Sequence, residues 1–243
     1  MYLIHMRPEQ VKDAVARNVP VLMAAGCVEY HGPHLPIGTD FLIANSICIE
    51  AEKRVECVMA PPFQFAPTLN WAAAPDEGEA DFDPEAFFQY ARESLRRIAA
   101  MGFRRIYILQ HHQGPDGLEV LCLKRAAMEV VRETVHEWGA GWGQGPPEEL
   151  PNPNIFGWIQ IAYLDTFSED PGPYPGNVPV GHAGKGETQL IMAALPDAVR
   201  MEALGTLDRL PQWLEDADEA DAEEGRKWLE WCIEGWVREL GPR

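Results

Sequence analysis

Residues 26–40 read G-C-V-E-Y-H-G-P-H-L-P-I-G-T-D and gather Glu29, His31, His34 and Asp40 into one loop broken by glycine and proline. If Val28 to His31 is extended, Glu29 and His31 project to the same side, because side chains repeat every two residues there. A carboxylate beside an imidazole is a mixed oxygen and nitrogen donor set that suits zinc, manganese or iron. Asp40, at the start of a helix-like pattern, adds a third candidate ligand. Taken alone, these residues could equally form a hydrogen-bonded polar loop without metal. Two further places carry similar side chains: Gln110-His111-His112-Gln113-Gly114-Pro115, and His182-Ala183-Gly184-Lys185-Gly186-Glu187-Thr188.

Each of these segments sits beside an element that could position it. The apolar run Val21-Leu22-Met23-Ala24-Ala25 has the length and composition of a buried strand, and it leads directly into the first loop. A helix over 40–54 follows, with Leu42, Ile43, Ile47 and Ala51 apolar. The loop therefore lies at the carboxyl end of a strand, where open α/β sheets place their active sites. A second strand, 104–109, delivers Gln110 to Pro115, and the third motif opens a helix through Leu190 and Ile191. Helices are also expected over 8–18, from Asp83-Pro84 to about Met101, and over 116–138, with shorter strands at 57–60 and 155–164. Strand–helix alternation of this kind gives a three-layer α/β/α sandwich with a mainly parallel sheet.

Two irregular stretches stand out. Residues 63–83 are too long for an ordinary connector, and Phe63, Phe65 and Trp71 favour a packed or substrate-facing loop. Residues 168–179, dense in proline and glycine and carrying Tyr174, read as a second active-site loop. Trp228, Trp231 and Trp236, after an acidic stretch at 215–224, have the spacing of core or subunit-interface packing. His5 and His136 match no motif and read as fillers.

Composition narrows the classes. The chain has 243 residues, no internal repeat and no low-complexity linker, so one domain over 1–243 is expected. Its 20 basic against 38 acidic residues give a net charge of −18, which argues against nucleic acid or an anionic membrane as partner. Five scattered cysteines without a C-x-x-C pair fit reduced thiols in a cytoplasmic protein. Cys27 lies inside the first motif, but no basic neighbour in sequence would lower its pKa, so a structural role is the simpler reading.

Residues 26–40 resemble the signature of the creatininase (creatinine amidohydrolase) superfamily, in which a glycine, a glutamate, H-G-P-H-L-P and T-D follow at this spacing. His112 falls on the metal-binding histidine of the family's N-G-H-G-G-N run, although Gln110, His111, Gln113 and Pro115 depart from it. His182 to Thr188 resembles the family's H-A-G-x-x-E-T. The resemblance implies two divalent ions (zinc or manganese, with iron possible in principle), one held by Glu29, Asp40 and His112 and the other by His31, Asp40 and Glu187, with Asp40 bridging. In creatininase proper a glutamate two residues after the second-motif histidine also binds metal; Gly114 stands there, and Glu187 would supply that carboxylate. His182, with Glu187, would serve catalysis by proton transfer, while His34 would hold the loop together. His111, Gln113, Trp71 and Tyr174 are candidate substrate contacts, His111 being equally readable as a structural histidine.

The resemblance further implies a hydrolase that opens a cyclic amide or cleaves a C–N bond of a small molecule. The superfamily also includes ring opening of an oxidised inositol, a C–C cleavage, and the departures around His112 make that the alternative. A non-catalytic metal-binding scaffold is a third reading. A homo-oligomer, a hexamer by resemblance, is expected.

Overall fold

The computed structural model describes residues 1–135, 155–169, 172 and 181–242. Its centre is a four-stranded sheet in the order β2-β1-β3-β4, with β1 (Val21–Ala25), β2 (Val58–Met59), β3 (Ile106–Gln110) and β4 (Ile159–Tyr163). Every pairing is parallel, and Val21 lies opposite Val58 on one side and Ile106 on the other. All five residues of β1 and of β3 are buried, as expected of parallel strands covered on both faces.

The alternation of side chains along these strands divides the core. Val21, Met23, Ile106 and Ile108 face α1 (Pro8–Ala16), α3 (Pro84–Ala100) and α4 (Leu118–Thr134) through Ala14, Phe87, Leu95, Leu123 and Ala127. Leu22, Ala24, Tyr107 and Leu109 face α2 (Thr39–Arg54), α5 (Lys185–Ala194) and α6 (Ala222–Leu240) through Ile43, Ile47, Leu190, Trp228 and Trp236. The result is the expected three-layer sandwich. No helix among the described residues is long and apolar enough to cross a membrane.

Helix ends follow local chemistry. Asp83 caps α3 by accepting from the Ala86 N–H at 2.8 Å, with Pro84 as the first helical residue. Asp221 accepts from the Glu223 and Glu224 N–H groups at the start of α6. Trp228 and Trp236 are fully buried, and the Trp236 indole donates to the Leu164 carbonyl at 2.9 Å, so both belong to the core.

Several boundaries differ from the sequence-based reading. The strand expected at 155–164 covers Ile159–Tyr163, after a 3-10 turn over Ile155–Gly157; that at 104–109 runs over Ile106–Gln110; and the helix expected over 8–18 ends at Ala16. The strand expected at 57–60 contracts to Val58–Met59, because it sits at the sheet edge and runs into Pro61-Pro62, which lack N–H donors. The helix expected from 116 starts at Leu118, after a 3-10 turn over Gly114–Asp116 entered through Gln113 at φ +52°. The third motif also opens its helix later, at Lys185. Residues 136–138 of the expected long helix, His136, and Tyr174 lie outside the described residues.

The topology fixes where a site can form. After β1 the chain departs to α2 on one face; after β3 it departs to α4 on the other. These adjacent strands flank a topological switch point, and the gap between their carboxyl ends is where open α/β sheets bind ligands.

Candidate metal centre

The first ligand loop leaves β1 at Gly26, which lies against the first turn of α2. A Cβ there would stand 2.5 Å from Phe41 N and 2.6 Å from its Cα, so only glycine lets strand and helix approach this closely. That contact brings Asp40, in the first turn of α2, beside the strand end. Residues 27–31 are irregular, not strand, yet Glu29 and His31 still face the same centre, with His31 Nε2 4.0 Å from Glu29 Oε2. Gly32 then turns the chain at φ +73°.

Three segments converge here. Asp40 Oδ1 is 3.3 Å from His31 Nε2, and Asp40 Oδ2 is 3.0 Å from His112 Nδ1 at the end of β3. Glu187, from the first turn of α5, places Oε2 3.4 Å from His31 Nε2 and Oε1 3.1 Å from His111 Nε2. The Ala183 N–H donates to Glu187 Oε2 at 2.6 Å and fixes that carboxylate. Glu29, His31, Asp40, His111, His112 and Glu187 are all buried. All of them but His31 line the floor of a cavity of about 420 Å³, walled by Trp71, Gln113, Gly114, Tyr163 and His182.

The two central imidazoles are oriented from behind. His31 Nδ1 lies 3.1 Å from the Glu29 carbonyl, and His112 Nε2 lies 3.1 Å from the Pro67 carbonyl. A carbonyl only accepts, so each of these nitrogens carries a proton, and the opposite nitrogen faces the carboxylates, where either a proton or a metal ion can sit between them. Glu29 Oε1, His31 Nε2 and His111 Nδ1 are buried with no hydrogen-bond partner. Lone pairs converging in a dry site require protons or cations between them. Among the described residues three groups could hold a divalent ion: Cys27, Glu29, Asp40 and His112; His31, Asp40 and Glu187; and, nearer the rim, Glu29, His31 and His182. Asp40 belongs to the first two.

The electrostatics have the same origin. Burial opposes a charge on His112, but the Asp40 and Glu29 carboxylates outweigh it and push its pKa up to about 11. His31 is likewise raised against burial by Asp40 and Glu187. Glu187 is lowered against burial to about 2, chiefly by His31 and His111, and Asp40 lies well below the usual carboxylate range for similar reasons. The pocket is a strong cation well.

Matching of the sequence to family models decides the kinship: the model described as creatinine amidohydrolase covers residues 5–240. The chain belongs to the creatininase family. A creatinine amidohydrolase of Pseudomonas putida is 20% identical over 247 aligned residues, covering 90% of this chain and 88% of that protein. A 3-dehydro-scyllo-inosose hydrolase of Thermotoga maritima is 23% identical over 203, covering 83% of this chain and 58% of that longer protein. Among solved structures, a zinc–zinc form of a creatininase variant superposes with a TM-score of 0.75 at 18% identity, covering 98% of this chain and 96% of that one. A manganese creatininase gives 0.73 at the same identity and coverage. At such identities these structures speak for the creatininase fold.

The creatininase motifs thus meet in space. The site also holds Glu119, Tyr163 and Trp213, to which sequence reasoning gave no role, and it shows what Cys27 touches. Cys27 donates its thiol to Asp40 Oδ2 at 3.0 Å. Glu119, fully buried in α4, accepts from Gln110 Nε2 at 3.2 Å, and burial pushes its pKa up to about 7. Tyr163 lines the cavity beside His111, with ring centroids 5.3 Å apart. Trp213 and Trp71 bracket the His182 ring at 4.8 and 4.6 Å. Glu119 and Trp213 carried no periodicity or motif signal. Cys27 was visible in the first motif, but its partners were not. Gln113 spends both ends of its amide on structure, donating to the Thr68 carbonyl and accepting from the Leu118 N–H, with one edge left on the cavity.

Proposed function

We propose that this chain is a metal-dependent hydrolase that cleaves a C–N bond of a cyclic amide or amide-like small molecule. The observation that carries the proposal is the pair of buried ligand groups joined through Asp40, with His182 at their rim. Divalent ions such as zinc or manganese, bound there as a pair, would polarise a carbonyl and make water a better nucleophile near neutral pH. Glu29, Asp40 and His112 would hold one ion, and His31, Asp40 and Glu187 the other.

The chain's own residues handle the protons. His182 Nε2–H donates to the Tyr30 carbonyl at 2.7 Å, which leaves Nδ1 unprotonated and 3.8 Å from Glu29 Oε2. Nδ1 can therefore take a proton from the attacking water and return it to the departing nitrogen. Burial, reinforced by nearby His31, lowers the His182 pKa and keeps the ring neutral. Trp71 and Trp213 fix the ring's angle and shield it from water. Trp71, Tyr163 and His111 offer flat surfaces that would orient a small planar or ring substrate; Tyr174 and Gln113 remain candidate contacts.

Gly114, standing where creatininase proper has a ligand glutamate, speaks against creatinine itself, and Glu187 would supply that carboxylate. The His111-His112-Gln113 run, in place of N-G-H-G-G, and the similarity to a 3-dehydro-scyllo-inosose hydrolase support a second reading, hydrolytic opening of a keto-inositol ring by C–C cleavage. His182 would then return the proton to the departing carbon. Product analysis after incubation with cyclic amides and keto-inositols separates the two readings. The resemblance also supports a homo-oligomer of about six chains, checked by light scattering.

Asp40→Ala tests the shared carboxylate. The variant should lose both bound metal and turnover by at least ~100-fold, as removal of a ligand common to both groups requires. Full activity in metal-replete Asp40→Ala would sink the proposal.

A further inference from the structure

Cys27 is fully buried beneath the cluster. Its Sγ lies 3.0 Å from Asp40 Oδ2, 3.3 Å from His112 Nδ1 and 4.0 Å from Glu29 Oε2. His112 Nδ1 is itself 3.0 Å from Asp40 Oδ2 and 3.3 Å from Glu29 Oε2. A tetrahedral zinc with a sulfur at about 2.3 Å and nitrogen or oxygen at about 2.0–2.1 Å keeps its ligand atoms ~3.3–3.6 Å apart. The observed separations bracket those edges, so an ion fits among the four atoms with small side-chain adjustments.

Two independent features point to a ligand at this place. Glu29, 1% exposed, has Oε1 buried without a hydrogen-bond partner. His112 commits Nε2–H to the Pro67 carbonyl and turns Nδ1 toward Sγ, Asp40 and Glu29, where a metal ion would replace the proton that the ring carries in the metal-free protein. A thiol that merely propped Asp40 would need only the one contact it makes there; Cys27 instead faces every member of the group.

We propose that Cys27 is a direct ligand, through sulfur, of the ion held by Glu29, Asp40 and His112. The proposal rests on the metal-centre reading above and deepens it. On binding, a sulfur–metal bond replaces S–H and the proton passes to solvent. The two ions then differ in kind: one has a sulfur donor, while the other, at His31, Asp40 and Glu187, has only nitrogen and oxygen. Thiolate donors favour zinc over manganese, so the first position should be the more zinc-selective.

Cobalt(II) loading of the metal-free protein tests this directly. Wild type should show the near-ultraviolet sulfur-to-cobalt charge-transfer band together with visible d–d bands. Cys27→Ser should lose the charge-transfer band and keep d–d bands. None of the other four cysteines belongs to a metal-holding group among the described residues, so none should supply the band. Visible bands without charge transfer in wild type would overturn the sulfur ligand and leave the metal centre standing. Failure to take up cobalt, zinc or manganese would overturn both.

A variant-free measurement guards against misfolding of Cys27→Ser. The zinc-edge X-ray absorption of wild type should show a sulfur shell at about 2.3 Å; a spectrum fitted by nitrogen and oxygen at about 2.0–2.1 Å alone would reject the proposal. In competition, Cys27→Ser should lower the zinc-over-manganese preference by ~10-fold or more. An equal loss for both metals would mark Cys27 as a support for Asp40 and reject ligation.

Discussion

His31 and His112 come from different segments yet are built alike: each ties one nitrogen to a backbone carbonyl and turns the other toward a shared aspartate. The backbone thus orients both rings and leaves the opposite nitrogen of each as a candidate metal ligand. His182 follows the same rule through the Tyr30 carbonyl, but its free nitrogen points at the rim, 3.8 Å from the nearest carboxylate oxygen. On the proposed reading that difference makes His182 the proton carrier, although it also stands with Glu29 and His31 as a candidate metal group. His182→Gln should therefore retain wild-type metal content while turnover falls ~10²–10⁴-fold, the range for loss of a general acid–base; metal analysis beside steady-state kinetics checks it, and undiminished turnover would remove His182 from the mechanism. Glu29, His31 and Asp40 were legible from sequence because one loop carries them. Cys27's neighbours were not, since Asp40 and His112 reach it from α2 and the end of β3. Glu119 was silent because one buried carboxylate in a helix's first turn looks like any solvated one until packing is known.

At the scale of elements, the apolar runs at 21–25 and 104–109 read clearly as buried strands, and the connection of β1 and β3 to opposite faces explains why their ends bear the site. The stretch 63–83 was harder to read, because carboxylates, not periodicity, organise it. Asp81 accepts from the Thr68 and Leu69 N–H groups, and Glu79 accepts from Thr68 Oγ1 and the Ala73 N–H. This holds the Pro67 carbonyl against His112 and Trp71 over the cavity. His34 braces another junction: its Nε2–H donates to Thr188 Oγ1 at 2.9 Å, joining the first loop to α5, and its carbonyl accepts from the Arg200 N–H. Nδ1 is buried without a partner, so protonation would strand an N–H. Burial accordingly lowers the His34 pKa to about 4. The folded value lies below the unfolded one, so the neutral ring's contribution is present in full above the unfolded pKa of about 6.5 and is lost as pH falls toward 4. For the metal-free protein, the stability difference between wild type and His34→Gln should shrink over that window by up to ~3 kcal/mol. The difference is the informative quantity, because Glu119, with its raised pKa, pushes the opposite way in both proteins. Urea titrations at several pH values that give a constant difference would reject the brace.

For the molecule as a whole, the proposed ions would be cross-links between parts distant in sequence. Glu29 and His31 follow β1, Asp40 belongs to α2, His112 follows β3 and Glu187 opens α5. Those helices lie on one face of the sheet, and the His112 segment leads to the other. Metal bound to the folded chain alone adds RT ln(1 + [M]/Kd), about 2.7 kcal/mol at a hundredfold excess over Kd. A protein of this length shifts its melting temperature by roughly 2–4 °C per kcal/mol, so chelation should lower it by about 5–11 °C and added zinc or manganese should restore it. The metal-free protein does not simply lose a ligand; it retains buried carboxylates that His31 and His112 must neutralise by carrying protons. These two raised pKa values add stability that is full below about 6.5 and is lost as pH rises through the folded values, up to about 11 for His112. Metal binding displaces those protons and weakens as pH falls. The melting difference between loaded and chelated protein should therefore widen with rising pH, as the proton-filled form weakens and the metal-filled form gains. Scanning calorimetry across neutral to alkaline pH, below the range where metal hydroxides form, reads this directly. A gap that stays flat or narrows would mean that the buried cluster is held by hydrogen bonds alone.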